Sequence, residues 1–503
     1  MSSIKINIIA NLIGKTWSAL IAVILIPQYT KFLGIESYGL VGFYGTLVGT
    51  MILLDLGLST TINRELAKFK STPGDSKAIR DLTFSLEFLY WSIGILISIF
   101  IIVLSPIIAN YWVKAEHIPV AVVSRSVMLM GAVVAFQWPI SLYNGALTGL
   151  DKQILNNAIT IIMTTLRAAG VILVLKYYSA TLEAFFIWQA AVSFLYVITM
   201  RIALWIKMPR HEDRARFSIT QIKTIWRFAA GMTGISLVTF FLTEVDKIVL
   251  SKLLPLSQFG YYVWAFSIAT SITLIVSPIS VSFFPRFTGL VASGKTEELK
   301  VLYHKACKFM SAFVFPISFV LLFFAKEILQ VWQHNTVITD NTYLMAQILV
   351  IGSTCNALMI IPYNLIIAYG WTKFTFFQNT IAAILLVPLL FWWANIYGAI
   401  GAALVWMILN AAYIIISQPL MHRRLLKNEL WKWYWDDVIE PMAAPLAVSL
   451  TLKVSWRYFL PEMQPTLLLL AIIALVTFTT SIFSMPGART FVRSMYQRLF
   501  VGE

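Results

Sequence analysis

The sequence predicts an all-α, polytopic membrane protein of about fourteen transmembrane helices, built as two six-helix lobes followed by a C-terminal helix pair. Three observations support this prediction: an apolar composition, continuous apolar runs and an internal repeat. Hydrophobic residues make up 59% of the 503 positions and charged residues only 12%, which is more apolar surface than a soluble domain buries. The apolar runs are continuous and do not alternate with polar residues, so they indicate helices and not the strands of a barrel.

An internal repeat divides the chain. Residues 33–39 superpose on residues 254–260 at an offset of 221, and a Tyr-Asn pair at 143–144 recurs at 363–364 with an offset of 220. A nearly constant offset at two distant sites indicates that a unit of about 220 residues is duplicated.

The repeat and the apolar runs together predict the order of elements. An N-terminal six-helix lobe occupies 1–205, a cytoplasmic linker 206–225 and a second six-helix lobe 226–421, while 422–503 holds an interfacial segment, helices thirteen and fourteen and a basic cytoplasmic tail. Each span needs about 20 apolar residues. Runs of this kind lie at 8–29, 39–62, 85–108, 120–147, 156–177, 181–205, 226–250, 258–283, 309–333, 342–368, 373–394, 398–421, 438–459 and 465–485.

The distribution of Lys and Arg predicts the orientation of these spans. Segments on one side of the membrane hold 26 of the 38 basic residues, and segments on the other side hold eight. Basic residues favour the cytoplasmic side, so both termini are predicted to be cytoplasmic. The net charge of +15 follows from this topology, and no nucleic-acid partner is expected. Residues 423–437 mix basic residues with three tryptophans, which predicts an interfacial helix on anionic lipid headgroups.

Three predicted spans carry polar side chains at helical spacing, so that each span has one polar face. These stripes predict a water-filled lumen bounded by both repeats; the alternative is hydrogen bonding between helices that only holds the bundle together. The stripes are Asn7, Asn11, Lys15 and Ser18 on the first span, Gln137, Ser141, Asn144 and Thr148 on the fourth, and Asn156, Thr160, Thr164 and Arg167 on the fifth.

Four charged residues inside or at the ends of spans are candidates for ion coupling. They are Asp55 in the second span and Glu244, Asp246 and Lys247 in the seventh. A charge at mid-span costs roughly 2.5–3.5 kcal/mol on insertion scales, so such residues tend to face a cavity and to have a function. Glu244, Asp246 and Lys247 lie near the end of their span, where a structural ion pair is an equally good interpretation.

Two further residue types complete the candidate set. Pro139 and Pro362 each precede a Tyr-Asn pair of the repeat, which makes them candidate hinges. Cys307 and Cys355 have no metal-binding spacing, so we expect packing roles, no metal site and no cofactor.

The motifs resemble those of a known family. They are Pro27-Gln-Tyr-Thr-Lys-Phe-Leu-Gly-Ile-Glu-Ser-Tyr-Gly39, Leu54-Asp-Leu-Gly-Leu58, Asn63-Arg-Glu65 and Glu244-Val-Asp-Lys247 ahead of Phe259-Gly-Tyr261. They are similar to the bacterial polysaccharide-biosynthesis transporters, the O-antigen type flippases of the multidrug, oligosaccharidyl-lipid and polysaccharide exporter superfamily. The resemblance implies two six-helix lobes that form a V around a cationic cavity, with helices thirteen and fourteen alongside.

The resemblance also implies a function. The expected activity is translocation of an undecaprenyl-diphosphate-linked oligosaccharide from the cytoplasmic to the periplasmic leaflet of the bacterial inner membrane by alternating access, without enzymatic chemistry. Lys15 and Arg167 are expected to meet the diphosphate, and Asn11, Asn144 and Asn364 to contribute to the substrate site. Expected partners are membrane lipid, a coupled proton or sodium ion, and a glycan polymerase.

Three alternatives remain at this point. A cation-coupled multidrug exporter of the same superfamily is disfavoured because such exporters usually stop at twelve spans. A peptidoglycan-precursor flippase differs only in its cargo. A membrane polymerase or ligase would need a long outward loop with catalytic residues, and all the predicted outward loops are short.

Overall fold

A computed structural model of the chain describes residues 3–55, 57–71, 75–223, 225, 240–459 and 464–484, and these ranges are helical without any β-strand. The all-α prediction is confirmed. The α-helices are α1 Ser3–Ile24, α2 Ile26–Leu33, α3 Ile35–Leu54, α4 Leu58–Ser71, α5 Ser76–Ile107, α6 Val120–Gln137, α7 Ile140–Gly149, α8 Gln153–Tyr177, α9 Leu182–Lys207, α10 Val245–Leu253, α11 Leu256–Thr270, α12 Thr273–Ala292, α13 Thr296–Phe323, α14 Ala325–Gln333, α15 Thr336–Ala368, α16 Thr372–Ala412, α17 Gln418–Leu425, α18 Leu430–Lys432, α19 Glu440–Phe459 and α20 Leu467–Ser484.

Eleven helical stretches in the described ranges are long and apolar enough to cross a membrane. The protein is therefore a multi-pass membrane protein, while the predicted number of about fourteen spans is not confirmed. One stretch, Thr372–Leu425, contains both predicted spans 373–394 and 398–421, because α16 joins two helices that meet at a kink at Gly398, where φ is 59° and ψ is −138°. The predicted span 226–250 lies partly outside the described residues.

The chain forms two compact units, Met1–Gly260 and Tyr261–Glu503. Unit 1 therefore includes α10 and the first residues of α11, which belong to the second copy of the sequence repeat. The predicted lobes 1–205 and 226–421 stay a prediction.

Helices α4 and α7 make a close crossing in unit 1. A Cβ atom added to Gly145 would lie 2.3 Å from the carbonyl oxygen of Ser59, and one added to Gly149 would lie 2.4 Å from that of Asn63. Two glycines four residues apart let the backbones approach in this way. The apolar core around the crossing contains Ile62 and other fully buried residues, so α4 is held firmly against α7 just after the chain leaves α3.

The predicted cytoplasmic linker 206–225 is tied to the beginning of α5. Arg80 Nη1 donates to the carbonyl oxygen of Pro209 at 2.8 Å, and Lys77 Nζ bonds Asp213 at 2.5 Å. The hydrogen bond from Lys77, followed by its charge, lowers the pKa of the exposed Asp213 carboxyl below its ordinary value. The chain therefore leaves α9 at Lys207 and returns along α5.

Helix α13 organises unit 2, where it packs against α12, α15, α19 and α20. Its buried His304 joins the segment between α17 and α19, because Nδ1 lies 2.5 Å from Asp437 Oδ2 and Nε2 lies 3.1 Å from Glu429 Oε2. Lys308, one turn further along α13, bonds Glu440 at 2.6 Å. The segment predicted to be interfacial is thus fastened to α13 by charged side chains.

Candidate functional site

A polar site forms in unit 1 where α3 ends. Asp55 caps the C-terminal end of α3, and Gly57, two residues further along the chain, has a φ of 67° that favours glycine. The Asp55 carboxylate accepts hydrogen bonds from three hydroxyl groups: Tyr90 at 2.6 Å, Ser141 at 3.0 Å and Ser59 at 2.7 Å. Helices α4, α5 and α7 each contribute one donor, so their packing places the site.

A cavity of about 400 Å³ opens beside Asp55. Its polar wall includes Gln137, whose amide donates to the Tyr44 hydroxyl at 2.6 Å and to the Ser193 hydroxyl at 3.2 Å. A cavity with a carboxylate and several hydroxyl and amide groups can hold water or a cation. The lining residues are Val48, Met51, Asp55, Gly57, Ser59, Thr60, Val134, Gln137, Trp138 and Ser141.

Arg167 on α8 is half-buried. Its charge acts on the hydroxyl groups of Tyr29, Tyr44 and Tyr196, and no ion pair joins it to a carboxylate in the part of the chain that the structure describes. Tyr44 also accepts the hydrogen bond from Gln137, which connects the Arg167 environment to the cavity wall. Arg167 therefore places a positive charge inside unit 1.

The polar face of α1 contacts the polar face of α8. Asn157 Nδ2 donates to Asn11 Oδ1 at 2.6 Å, and the Ser18 and Thr164 hydroxyls lie 3.5 Å apart. Trp17 Nε1 donates to the Thr165 hydroxyl at 2.7 Å in the same seam. These hydrogen bonds join α1 to α8. They agree with the alternative in which polar side chains form hydrogen bonds between helices and hold the bundle together.

Lys15 also lies in α1, but its side chain is outside the described part of the structure, and so is that of Asn7. The substrate roles predicted for Lys15 and Asn11 stay predictions.

The two asparagines of the repeated Tyr-Asn pair differ in their surroundings. Asn144 is half-buried on α7 of unit 1. Asn364 on α15 of unit 2 is 8% exposed and donates to the Ser280 hydroxyl at 2.8 Å.

The two candidate hinge prolines also differ in their surroundings. Helices α6 and α7 are separate, with Pro139 between them, whereas α15 runs through Pro362. Because proline removes only one helical hydrogen bond, the neighbouring bonds can keep α15 continuous.

The charges at the start of α10 pair with one another. Lys247 Nζ lies 3.3 Å from Glu244 and 3.5 Å from Asp246, and donates to the carbonyl oxygen of Thr243 at 2.6 Å. The Glu244 side chain also packs on α3 at Gly49, where an added Cβ would lie 2.8 Å from its carboxyl carbon. This geometry is that of the structural ion pair, one of the two interpretations of these residues from the sequence.

Sequence reasoning assigned no role to Glu87, which is 4% exposed. Its carboxylate accepts from Arg201 Nε at 2.5 Å, from the Tyr143 hydroxyl at 2.6 Å and from Trp205 Nε1 at 3.1 Å. The available signal was an acid in the third predicted span and a base in the sixth. Tyr143, which belongs to the repeated Tyr-Asn pair, is fully buried and donates its hydroxyl to Glu87. It is therefore a packing residue.

Two known protein families match parts of the chain. Residues 4–291 match the family described as polysaccharide biosynthesis protein, and residues 232–392 match the family described as MatE. The chain is 24% identical over 409 residues to a putative O-antigen transporter of Shigella flexneri, covering 81% of this chain and 95% of that protein. It is 22% identical over 251 residues to the lipopolysaccharide biosynthesis protein WzxC of Escherichia coli, covering 48% and 47% of the two chains.

Solved structures share the fold. The lipid II flippase MurJ in an inward closed conformation aligns with a TM-score of 0.69 at 15% identity, covering 98% of this chain and 99% of that chain. A multidrug resistance MATE family transporter in an inward-facing conformation aligns with a TM-score of 0.67 at 14% identity, covering 82% and 96%. Since the first family match spans more than half of the sequence, this chain belongs to the polysaccharide biosynthesis protein family.

Proposed function

We propose that this protein is a flippase that moves an undecaprenyl-diphosphate-linked oligosaccharide, an O-antigen or a related surface-polysaccharide unit, from the cytoplasmic to the periplasmic leaflet of a bacterial inner membrane. Membership of the polysaccharide biosynthesis family and the similarity to a putative O-antigen transporter support the cargo class. The observation that carries the proposal is Arg167, a half-buried cation among tyrosines without a carboxylate partner in the described part of the chain.

The physical argument concerns the headgroup of the cargo. Transferring an ionised, hydroxyl-rich headgroup through hydrocarbon would remove its hydration, at a cost of tens of kcal/mol by idealised estimates for isolated charges. A polar path with a fixed cation reduces this cost, because the diphosphate exchanges water for a guanidinium and hydroxyl donors. The Tyr44–Gln137 hydrogen bond connects such a cation to the cavity beside Asp55.

The direction of transport follows from charge. With a negative cytoplasm, moving about two negative charges outward gains on the order of 4.6 kcal/mol per 100 mV. The Lys and Arg distribution supports a topology in which both termini are cytoplasmic. We further propose a glycan polymerase and the surrounding membrane lipid as partners on the outer side.

Two regions are candidates for coupling to a proton or sodium ion, and we propose the one around Asp55. Its carboxylate adjoins a cavity and is held by three hydroxyl groups from different helices. The carboxylates of Glu244 and Asp246 instead lie close to Lys247, which supports a structural role. Alternating access would then be accompanied by ion exchange at Asp55.

The test is surface glycan display in cells that depend on this protein. Arg167→Ala is expected to lower display at least about tenfold, the usual scale for loss of one charge-assisted contact of about 1.5–3 kcal/mol, while the amount of protein in the membrane is unchanged. The matched control is Arg125→Ala, since Arg125 is an exposed arginine whose Nε donates to the carbonyl oxygen of Ala121 in its own helix. Normal display with Arg167→Ala would refute the cargo role of this residue.

A second candidate function is export of cationic drugs. The match of residues 232–392 to the MatE family and the fold shared with a MATE transporter favour it. Deletion of the gene would then raise drug susceptibility without changing surface glycan. A peptidoglycan-precursor cargo, favoured by the fold shared with MurJ, would instead be expressed as a defect in cell-wall synthesis.

A further inference from the structure

Two equivalent positions of the sequence repeat touch each other in unit 1. With the offset of 221, Ile35 corresponds to Leu256 and Gly39 corresponds to Gly260. A Cβ added to Gly39 would lie 2.1 Å from the carbonyl oxygen of Leu256, and a Cβ added to Gly260 would lie 2.6 Å from the carbonyl oxygen of Ile35. Each glycine thus meets the carbonyl group four residues before the other glycine.

This reciprocity is the geometry of a local two-fold axis between α3 and the beginning of α11. The axis passes between the glycines, because a Cβ on either one would be 3.3 Å from the backbone nitrogen of the other. Only glycine permits such an approach, in which backbone meets backbone and no flexible side chain can move aside. The crossing is therefore sensitive to a single methyl group on either side.

A short connecting segment holds the same crossing together. Residues 112–117, here called the clamp segment, follow α5. On one side the Glu36 carboxylate accepts the backbone N–H of Glu116 at 2.6 Å and of His117 at 3.0 Å. On the other side Ser257 donates to Glu116 Oε2 at 2.8 Å. Glu36 and Ser257 are themselves equivalent positions of the repeat, so the clamp segment bonds both copies at matching sites.

Further contacts of the clamp segment reach α10 and the turn into α11. Lys114 is bonded twice, since its carbonyl oxygen accepts the N–H of Leu256 at 2.9 Å and its Nζ donates to the carbonyl oxygen of Leu253 at 2.8 Å. Trp112 Nε1 donates to the Ser251 hydroxyl at 3.1 Å. Most of these bonds involve backbone groups or polar side chains that water can replace, so the contact can break and re-form without leaving buried groups unsatisfied.

We propose that the Gly39–Gly260 crossing and its clamp segment form the contact that keeps the transport pathway closed on the outer side, and that the contact breaks when the pathway opens outward. The proposal rests on the proposed transport function and topology, which place the α2–α3, α5–α6 and α10–α11 connections on the outer side. The two glycines set the balance between the two states, because the closed state alone requires both positions to lack a Cβ.

The test measures access to the crossing and needs no cargo. A Leu256→Cys reporter is introduced in a protein whose Cys307 and Cys355 are replaced by serine. Leu256 is 1% exposed. A membrane-impermeant maleimide added from outside should therefore label the new cysteine slowly. Gly39→Ala is expected to speed labelling about tenfold or more, as a destabilised closed state is less populated. The control is Gly45→Ala on the same helix, where an added Cβ meets nothing within 4 Å.

Each result of the labelling experiment either supports or overturns the proposal. Unchanged labelling with Gly39→Ala, or an equal increase with Gly45→Ala, overturns the proposal. If Gly39→Ala does not reach the membrane, Glu36→Gln decides instead, since it weakens the clamp without adding bulk and must also speed labelling. Loss of glycan display in the Arg167 variant bears on the cargo alone, so failure of the proposed function and failure of this contact are distinguished.

Discussion

Replacing Glu87 with glutamine should destabilise unit 1 without touching the cavity. The Glu87 carboxylate is 4% exposed and accepts three hydrogen bonds, from Arg201, Tyr143 and Trp205. Glutamine keeps the shape of the side chain but has a single acceptor oxygen. Its amide nitrogen, itself a donor, must face either Trp205 Nε1 or the other two donors.

The expected loss of stability in Glu87→Gln follows from the buried donors that lose their acceptor. One buried donor without an acceptor costs about 1–3 kcal/mol. The lost charge attraction to Arg201 adds less than a fully buried pair would, because the Arg201 side chain is 45% exposed and partly screened by solvent. The sum is about 2–4 kcal/mol, which we expect to lower the midpoint of thermal unfolding by about 2–4 °C for a chain of this size.

The assay is the temperature at which half of the detergent-solubilised protein is lost from the monodisperse peak in size-exclusion chromatography. Glu212→Gln is the matched control, since Glu212 is exposed in the linker and its replacement should leave the midpoint unchanged. A Glu87→Gln protein as stable as the parent would refute the reasoning that this carboxylate holds α5 to α9.

Two further predictions concern Asp55 and the buried His304. Asp55→Asn should remove any dependence of glycan display on an applied proton or sodium gradient while the protein still accumulates in the membrane; an unchanged gradient dependence would exclude Asp55 as the coupling site. His304→Asn should lower the thermal midpoint by a few degrees, about 2–4 kcal/mol of stability, because Asp437 and Glu429 both lose their contact with the imidazole, and Glu429 keeps only Lys300 on α13, at 3.8 Å. His334→Asn, at an exposed position with φ 52° that asparagine tolerates, should not change the midpoint.

Much of the fold could be predicted because it depends on composition and periodicity. Long apolar runs must form helices in a membrane, since each backbone group needs a partner inside its own segment. The number of spans was harder to predict than their existence. Gly398, with φ 59° and ψ −138°, breaks the helical geometry inside α16 at the boundary between the predicted spans 373–394 and 398–421, and hydropathy alone contains no term for such a backbone conformation.

The candidate site was predicted in its residue types more than in its contacts. Asp55 was identified from its charge, and the structure adds the three hydroxyl donors and the cavity. Asn11 was expected in the lumen, yet it bonds Asn157 on α8. Spacing places polar residues on one face of a helix but does not say whether that face meets water or another polar face.

The sequence by itself determined that the chain crosses a membrane many times, and it predicted a duplicated unit and cytoplasmic termini. These properties follow from transfer free energies and charge counts, which add up residue by residue. Only the tertiary structure decided that Glu87 meets Arg201, that Arg167 lies among tyrosines, and that Gly39 faces Gly260. Such contacts depend on how helices distant in sequence cross, and the closeness of a crossing depends on a few small residues that composition does not register.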